Sequence, residues 1–233
     1  MAIRQVYKVS EVGNEFVEKI NIDFKWNPGF SASQKQKNIR ALHCGYKDIY
    51  DNDNILEISS KSEEVLGVNL SAFNLNITTV KKNQRFSVEC AFQSSKVFKN
   101  GGPYIDILTK DSRQAKKDIR LKESGDLIGF EFFGMSWELE PKTLFYDWLY
   151  MNALYKQEEL SKEILKYDAF TDIEFNHNKS INCQAYSAAL FVSLSRRNLI
   201  DEAMENINNY KRIITGLNNA DNNDIYTEQI TFI

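Results

Sequence analysis

The alternation of apolar and polar positions predicts β-strands in the first part of the chain. Residues 2–26 alternate in this way around a turn at Gly13-Asn14, which is typical of two short strands. A helix is predicted over 33–44, behind a serine that can cap it. Residues 55–60 form a further predicted strand, and 66–75 a second extended segment. The chain therefore begins with β-structure around one helix.

A helix is also predicted over 87–98, which contains neither Pro nor Gly and begins at the capping residue Ser87. Apolar residues recur there at helical spacing and give one buried face. Glu89, Gln93 and Lys96 then line a single stripe of the predicted helix. The pattern places an acid, an amide and an amine in one row. The alternative is a solvated surface stripe, because exposed charge pairs of this kind contribute little to stability.

Longer helical patterns dominate the second half of the chain. The predicted elements are a basic helix over 105–123, a strand over 128–134, two helices within 143–166 that break near Lys156-Gln157, a strand over 167–176, a helix that opens at 182–185 and a last helix over 201–214. Pro141 suits the first turn of the helix pair, where its missing N–H leaves no bond unmade.

Together these patterns predict an α+β fold, a helix-dominated single domain with short N-terminal strands. We expect the domain to span 1–217, with residues 1–54 as a strand and helix extension packed on it. The segment 218–233 is rich in Asn and Asp and is expected to be a loosely ordered tail. A chain of 233 residues is long enough to bury one core.

The formal net charge of −3 excludes a surface that binds polyanions everywhere, so contact with nucleic acid requires a local basic patch. Lys35 and Lys37 on the first predicted helix are one candidate. Lys116, Lys117 and Arg120, in the most basic window of the chain, are the other. The alternative for both groups is a solvated charged face.

Cysteine and histidine usage argues against a metal or disulfide framework. The three cysteines and two histidines are widely spaced and form no Cys-x-x-Cys pair. We therefore expect no metal and no cofactor. Residues 1–6 lack the apolar core of a signal peptide, and no later stretch approaches 18 apolar residues. The expected protein is cytoplasmic and has no membrane partner.

Two motifs carry a resemblance to a known family. Ser71-Ala72-Phe73-Asn74 and the segment from Glu89 to Lys96 are similar to the Ser-x-Phe loop and the Glu-x-x-Phe-Gln-x-x-Lys motif of the NADAR (YbiA-like) family. The similarity runs through most of the chain, including 26–31 and 168–184. It points to the branch that accompanies DarT-type DNA ADP-ribosyltransferase toxins as an antitoxin.

This resemblance implies a domain of YbiA-like type that cleaves an N-glycosidic bond. The implied substrate is ADP-ribose attached to guanine in DNA, and the product is free ADP-ribose. The cognate toxin is a second candidate partner.

The chemistry of such a cleavage suits Glu89 and Lys96 as the catalytic pair. Departure of a base from C1″ builds positive charge on the ribose, as in glycoside hydrolysis. Glu89 would stabilise that charge or activate a water molecule. Lys96 would protonate the departing base, or attack C1″ after ring opening and form a Schiff base. The second role needs a neutral amine, and so a pKa lowered by burial.

Other residues are candidates for contacts with the substrate. Phe73, Tyr104 and Trp137 are candidates to stack on a base, with core packing as the alternative. Ribose and phosphate hydrogen bonds are expected from Ser71, Asn74, Gln93, Asp172, Glu174, Asn182 and Gln184. Asp172 and Glu174 would share one face of the strand predicted over 167–176, which suits a ribose diol.

The expected function is removal of ADP-ribose from guanine in DNA by an antitoxin enzyme. Two alternatives come from other classes. The first is an antitoxin that binds its toxin directly without chemistry. The second is an N-glycosidase acting on a small phosphoribosyl-amine metabolite, which would need no phosphate-contacting basic patch.

Overall fold

The computed structural model describes residues 1–51, 53–79, 83–176 and 180–216, and it has the expected α+β architecture. The tail predicted over 218–233 lies outside these residues. The strands are β1 (Ala2–Val9), β2 (Val17–Phe24), β3 (Ile55–Glu57), β4 (Asn76–Thr78), β5 (Arg85–Ser87), β6 (Lys96–Phe98), β7 (Leu127–Phe132), β8 (Met135–Trp137) and β9 (Ala169–Thr171). The helices are α1 (Ala32–Lys47), α2 (Val65–Asn69), α3 (Val88–Ser94), α4 (Ser112–Lys116), α5 (Arg120–Glu123), α6 (Leu144–Tyr155), α7 (Glu158–Ile164), α8 (Gln184–Arg196), α9 (Ile200–Glu205) and α10 (Ile207–Thr215). A 3₁₀ turn spans Ile105–Thr109.

The main sheet joins the beginning of the chain to a segment near its end. Its strand order is β2-β1-β9-β3. The antiparallel pair β1 and β2 forms the predicted hairpin, β9 pairs antiparallel with β1, and β3 runs parallel to β9. Buried residues of the hairpin and of α1 form a core on one side of this sheet, among them Val6, Ile22, Ile39, Leu42 and Tyr46. The N-terminal hairpin therefore contributes strands to the main sheet itself.

Helices α6 and α8 form the centre of the larger core. Ten of the twelve residues of α6 and nine of the thirteen of α8 are buried. This is the pattern of a helix enclosed by protein on all sides. The break predicted near Lys156-Gln157 is confirmed, because α6 ends at Tyr155 and α7 begins at Glu158.

Two serines end α3 earlier than the apolar pattern predicts. The helix predicted over 87–98 ends at Ser94. The hydroxyl groups of Ser94 and Ser95 both donate to the carbonyl oxygen of Ala91, at 2.9 and 2.6 Å. Serine hydroxyls that bond to the preceding turn compete with the helix ladder and weaken its continuation.

Because α3 is short, Lys96 is the first residue of β6 and pairs with Phe130 of β7. The prediction of one helical stripe is therefore correct for Glu89 and Gln93 and wrong for Lys96. The position of Lys96 is decided by its pairing with Phe130, which lies 34 residues further along the chain. No local sequence pattern reports such a pairing.

The extended segment predicted over 66–75 was wrong, because it begins with α2 and continues in turns. An apolar run this short does not distinguish helix from strand by its periodicity. Gly67 lies so close to β3 that an added Cβ would come within 2.0 Å of the Glu57 carbonyl oxygen. Close backbone approach therefore fixes glycine at this position.

The strand predicted over 167–176 is limited to β9, which ends at Thr171. Asp172 ends it by forming a turn, in which its Oδ1 accepts hydrogen bonds from the backbone N–H groups of Glu174 at 3.0 Å and Phe175 at 3.2 Å. The expectation that Asp172 and Glu174 share a strand face is therefore wrong.

Capping residues also divide two predicted helices. In the 105–123 window, Asp111 accepts from the first N–H groups of α4 and so begins a new helix. Asn206 does the same for α10 and splits the helix predicted over 201–214. Pro141 does not occupy the first turn of α6, which begins three residues later.

A buried carboxyl group on α6 gives a prediction about stability. Asp147 is 3% exposed and accepts hydrogen bonds from Ser187 Oγ at 2.5 Å and Thr143 Oγ1 at 2.6 Å. Burial raises its pKa from 3.8 to about 7. Folding therefore takes up a proton, and this group lowers stability as the pH rises from 4 to 7. We expect Asp147→Asn to remove about 2 to 3 kcal/mol of the difference in unfolding free energy between pH 5 and pH 7.5.

Urea unfolding at the two pH values measures this difference. The exposed control Asp126→Asn should behave as the wild type does. An Asp147→Asn variant with the wild-type pH dependence would contradict the assignment.

Candidate active site

A cleft of about 1050 Å³ opens between α3, the loop before β4, the β6–β7 pair, the start of α6 and the segment before α8. It brings together residues from widely separated parts of the chain, including Ser59 after β3 and Lys116 of α4. The residues predicted from the sequence that line it are Ser71, Phe73, Glu89, Gln93, Lys96, Lys116, Asp172, Glu174, Asn182 and Gln184. The fold thus collects most of the predicted polar residues on one concave surface.

Glu89 is held firmly in the first turn of α3. Ser87 caps this helix by accepting from the N–H of Cys90 at 3.1 Å. The backbone N–H of Glu89 donates to the carbonyl oxygen of Ala72 at 2.9 Å. Its carboxylate is only 7% exposed and accepts a hydrogen bond of 2.9 Å from Gln93 Nε2. Glu89 therefore faces the cleft in a fixed orientation.

Lys96 faces the same cleft from β6. Its Nζ lies 4.8 Å from the centre of the Phe92 ring, and the apolar part of its side chain is partly buried. Burial lowers the pKa of Lys96 to about 8, although the carboxylate of Glu89 acts in the opposite direction. The positive charge of Lys116 lowers this pKa further. Both the charged and the neutral amine are therefore populated near neutral pH.

Lys116 supplies positive charge at the rim. Its Nζ lies 4.0 Å from Glu89 Oε1 and 5.3 Å from the centre of the Phe73 ring, and its side chain is 61% exposed. Helix α4, which carries Lys116, is tied to this wall because Ser112 Oγ donates to the Phe73 carbonyl oxygen at 2.9 Å. A mobile cation thus stands beside a fixed carboxylate.

On the opposite wall, Gln184 uses its whole amide group within the protein. Its Oε1 accepts from the N–H of Ala72 at 2.7 Å, and its Nε2 donates to the Ile58 carbonyl oxygen at 2.7 Å and to Asp172 Oδ2 at 2.9 Å. The sequence predicted a ligand contact for Gln184. In the structure its hydrogen bonds position the walls of the cleft.

Two acids on this wall differ in their surroundings. Burial and the neighbouring Glu57 raise the pKa of Asp172 to about 8. Glu57 is itself buried, and accepts from Thr171 Oγ1 at 2.6 Å. Glu174 is exposed and its Oε1 lies 3.0 Å from Lys35 Nζ. Simultaneous ionisation of Asp172 and Glu57 is therefore disfavoured, whereas Glu174 is part of an ion pair.

Three residues predicted to contact substrate lie outside the cleft lining. Trp137 is 4% exposed and packs in the core, with its ring centre 5.0 Å from that of Trp148. The Tyr104 hydroxyl bonds to Ser124 Oγ. Asn74 donates from its side chain to the carbonyl oxygen of Val68 at 2.9 Å. Core packing, the alternative to stacking, is what the structure shows for Trp137.

The five predicted basic residues are also dispersed. Only Lys116 lines the cleft, and Lys35 reaches its edge through Glu174. Lys37 and Lys117 are exposed. Arg120 donates to the carboxylates of Asp106 and Asp118, so its charge is already compensated.

The sequence analysis missed several residues of the lining, in particular Ser59, Ser60, Glu140, Lys142, Thr143, Tyr146, Asn176 and Ser180. Tyr146 is 6% exposed and lies within an apolar helical run, so its sequence context matches that of a core residue. The others lie in segments that hold no recognisable motif, and only the tertiary fold brings them to the cleft.

The chain was compared with models of known families. The model described as the DarT1-associated NADAR antitoxin matches residues 2–224. The chain belongs to this family. A search of curated proteins found no match. The NADAR match includes both motifs on which the resemblance rested, and every residue that lines the cleft.

Two general features complete the description of this NADAR chain. Within the described ranges, no helix combines the length and apolar character that a bilayer crossing needs. The same ranges contain no group of three or more His, Cys, Asp or Glu residues arranged to hold a metal ion.

Proposed function

We propose that the chain is a glycosidic hydrolase that removes ADP-ribose from guanine in DNA and acts in this way as an antitoxin. The observation that carries the proposal is the meeting of Glu89 and Lys96 in one cleft of a NADAR antitoxin chain. With about 1050 Å³, the cleft reaches the upper end of the size range of ligand pockets, which suits a dinucleotide-sized group.

In the proposed reaction the bond between C1″ and a guanine nitrogen breaks. Its electron pair leaves with the base, and the base nitrogen gains a proton. Water supplies the hydroxyl group that ends on C1″. Glu89 is positioned to stabilise the positive charge that develops on the ribose, or to take the proton from the attacking water.

Lys96 has two candidate roles with opposite requirements. The charged amine would protonate the departing base. The neutral amine would instead attack C1″ after ring opening; the bond to the guanine nitrogen would break, its electron pair leaving with the base, which gains a proton. Water would then hydrolyse the resulting Schiff base to ADP-ribose and the free amine. A pKa of about 8 supports either role, because both forms are present near neutral pH.

Lys116 is the cation that we assign to the DNA or to the diphosphate of the substrate. It lies at the rim and is largely exposed, so it has the freedom to move from Glu89 to an incoming phosphate. Lys35 reaches the cleft edge already ion-paired with Glu174, so it is a weaker candidate. The same holds for the ion-paired Arg120.

Release of ADP-ribose from single-stranded DNA that carries ADP-ribosyl-guanine tests this proposal. We expect release by the wild type, and a fall in kcat of about 100-fold or more for Glu89→Gln and for Lys96→Ala, as for loss of an acid–base group. Chromatography of the released nucleotide measures the rate. Glu159→Gln and Lys162→Ala on α7, outside the cleft, serve as matched controls with unchanged rates.

No release from modified DNA by the folded wild type would contradict the proposal. Protection of cells by Glu89→Gln together with a stable complex with the toxin would then favour the binding antitoxin. Turnover of a phosphoribosyl-amine alone would favour the metabolic glycosidase.

The pH dependence of kcat/KM, which reports groups of the free enzyme, separates the two roles of Lys96. We expect an inflection near pH 8, because the pKa of the amine lies there. A rate that rises through pH 8 would assign the nucleophile, and a rate that falls would assign the acid. Lys162→Ala should keep the inflection. A flat profile between pH 6.5 and 9.5 would contradict a direct role for the Lys96 amine.

A further inference from the structure

Two buried polar atoms in the cleft wall have no hydrogen-bond partner among the residues that the structure describes. They are Ser71 Oγ and Gln93 Oε1. Ser71 is 2% exposed and Gln93 is 6% exposed, and both residues line the cleft. Buried polar atoms in folded proteins are nearly always paired, since an unpaired one loses its hydration without compensation. Two such atoms on one wall indicate that a bound ligand supplies their missing hydrogen bonds.

The orientation of Gln93 follows from its partner. Its amide lies 2.9 Å from Glu89 Oε1, and an ionised carboxylate has only acceptors. The amide nitrogen must therefore face Glu89, and the oxygen must face away from it. Gln93 consequently presents one acceptor to the cleft, and the ligand must bring an O–H or N–H donor.

The backbone on both sides of Ser71 is fixed by hydrogen bonds. The carbonyl oxygen of Ala72 accepts from the N–H of Glu89, and the N–H of Ala72 is held by Gln184. The carbonyl oxygen of Leu70 accepts from the buried Tyr150 hydroxyl at 2.8 Å. The backbone that carries Ser71 is therefore held in place, and its hydroxyl offers one donor and two acceptor lone pairs.

A sugar hydroxyl matches this pair of atoms, because one O–H group both donates and accepts. We propose that Ser71 and Gln93 form a subsite that reads the hydroxyl next to the scissile carbon, and so selects a ribosyl over a 2-deoxyribosyl group. This inference rests on the proposed function, in which Glu89 faces C1″. The hydroxyl adjacent to that carbon is then the one within reach of the residues beside Glu89.

The subsite has a chemical purpose. The guanine of the proposed substrate carries two glycosidic bonds, one to the ribose of ADP-ribose and one to the 2-deoxyribose of the DNA. Cleavage of the second bond would leave an abasic site. The two sugars differ in the hydroxyl on the carbon next to the glycosidic bond, which ribose has and 2-deoxyribose lacks. Ser71 and Gln93 would bind this hydroxyl. A site built to bond a hydroxyl rejects the analogue that lacks it, because its buried polar atoms then stay unpaired.

Two oligonucleotides test the inference, one with ADP-ribosyl-guanine and one with the same adduct lacking the 2″-hydroxyl. We expect the wild type to cleave the ribosyl adduct at least about 100-fold faster by kcat/KM. Ser71→Ala should narrow this ratio about tenfold by slowing only the ribosyl adduct, as the loss of one hydrogen bond predicts. Gln93→Met should narrow the ratio and also slow both adducts, since it frees Glu89.

Ser161→Ala on α7 is the matched serine control and should keep the wild-type ratio. The ratio compares two substrates of one protein sample, so partial unfolding of a variant cancels. Because 2-deoxyribosyl bonds are intrinsically the more labile, the rate for each adduct is divided by its uncatalysed rate before the two are compared. On that scale, equal or faster cleavage of the deoxy adduct by the wild type would overturn the subsite. A wild-type ratio that Ser71→Ala leaves unchanged would also overturn it. Failure to cleave either adduct would instead overturn the proposed function.

Discussion

The cleft depends on the hydrogen bonds of one amide, that of Gln184. This group joins the Ala72 backbone, the Ile58 backbone just after β3 and the Asp172 side chain. Gln184 and Ile58 are 126 positions apart in the sequence. Through Ala72 the same network reaches the backbone of Glu89. The carboxylate is thus held by the opposite wall as well as by its own helix.

The charged groups of the cleft differ in how much of each side chain is exposed. Glu89 is buried and fixed, and its cationic neighbours are the half-buried Lys96 and the exposed Lys116. A fixed acid with a mobile cation at the rim suits a substrate that carries phosphate, because the cation can follow the phosphate while the acid stays in place. Beside Gln184, desolvation and the neighbouring Glu57 raise the pKa of Asp172, so full ionisation of both acids is disfavoured where a diphosphate would approach.

The sequence predicts the residues of the cleft better than the elements that carry them. The two motifs identify Glu89, Gln93 and Lys96 because the family resemblance records them together. Their placement on one helix was wrong, since Ser94 and Ser95 end α3 and strand pairing then determines the position of Lys96. Hydrogen bonds between side chain and backbone compete closely with helix continuation, and short-range patterns do not decide between them.

Aromatic residues mark the other limit of prediction from sequence. Trp137 has a ring that could stack on a base, but it is buried against Trp148. Tyr146 lies in an apolar helical run typical of the core, yet it lines the cleft. Burial and exposure at such positions depend on neighbours contributed by distant segments. No local pattern of apolar residues contains that information.

The most direct test of the central claim is a crystal structure of Glu89→Gln with ADP-ribose. We predict that the terminal ribose lies against α3, with C1″ facing position 89 and Lys96. A ribose hydroxyl should be hydrogen-bonded to Ser71 and Gln93. ADP-ribose bound at another surface, with the cleft empty, would contradict it.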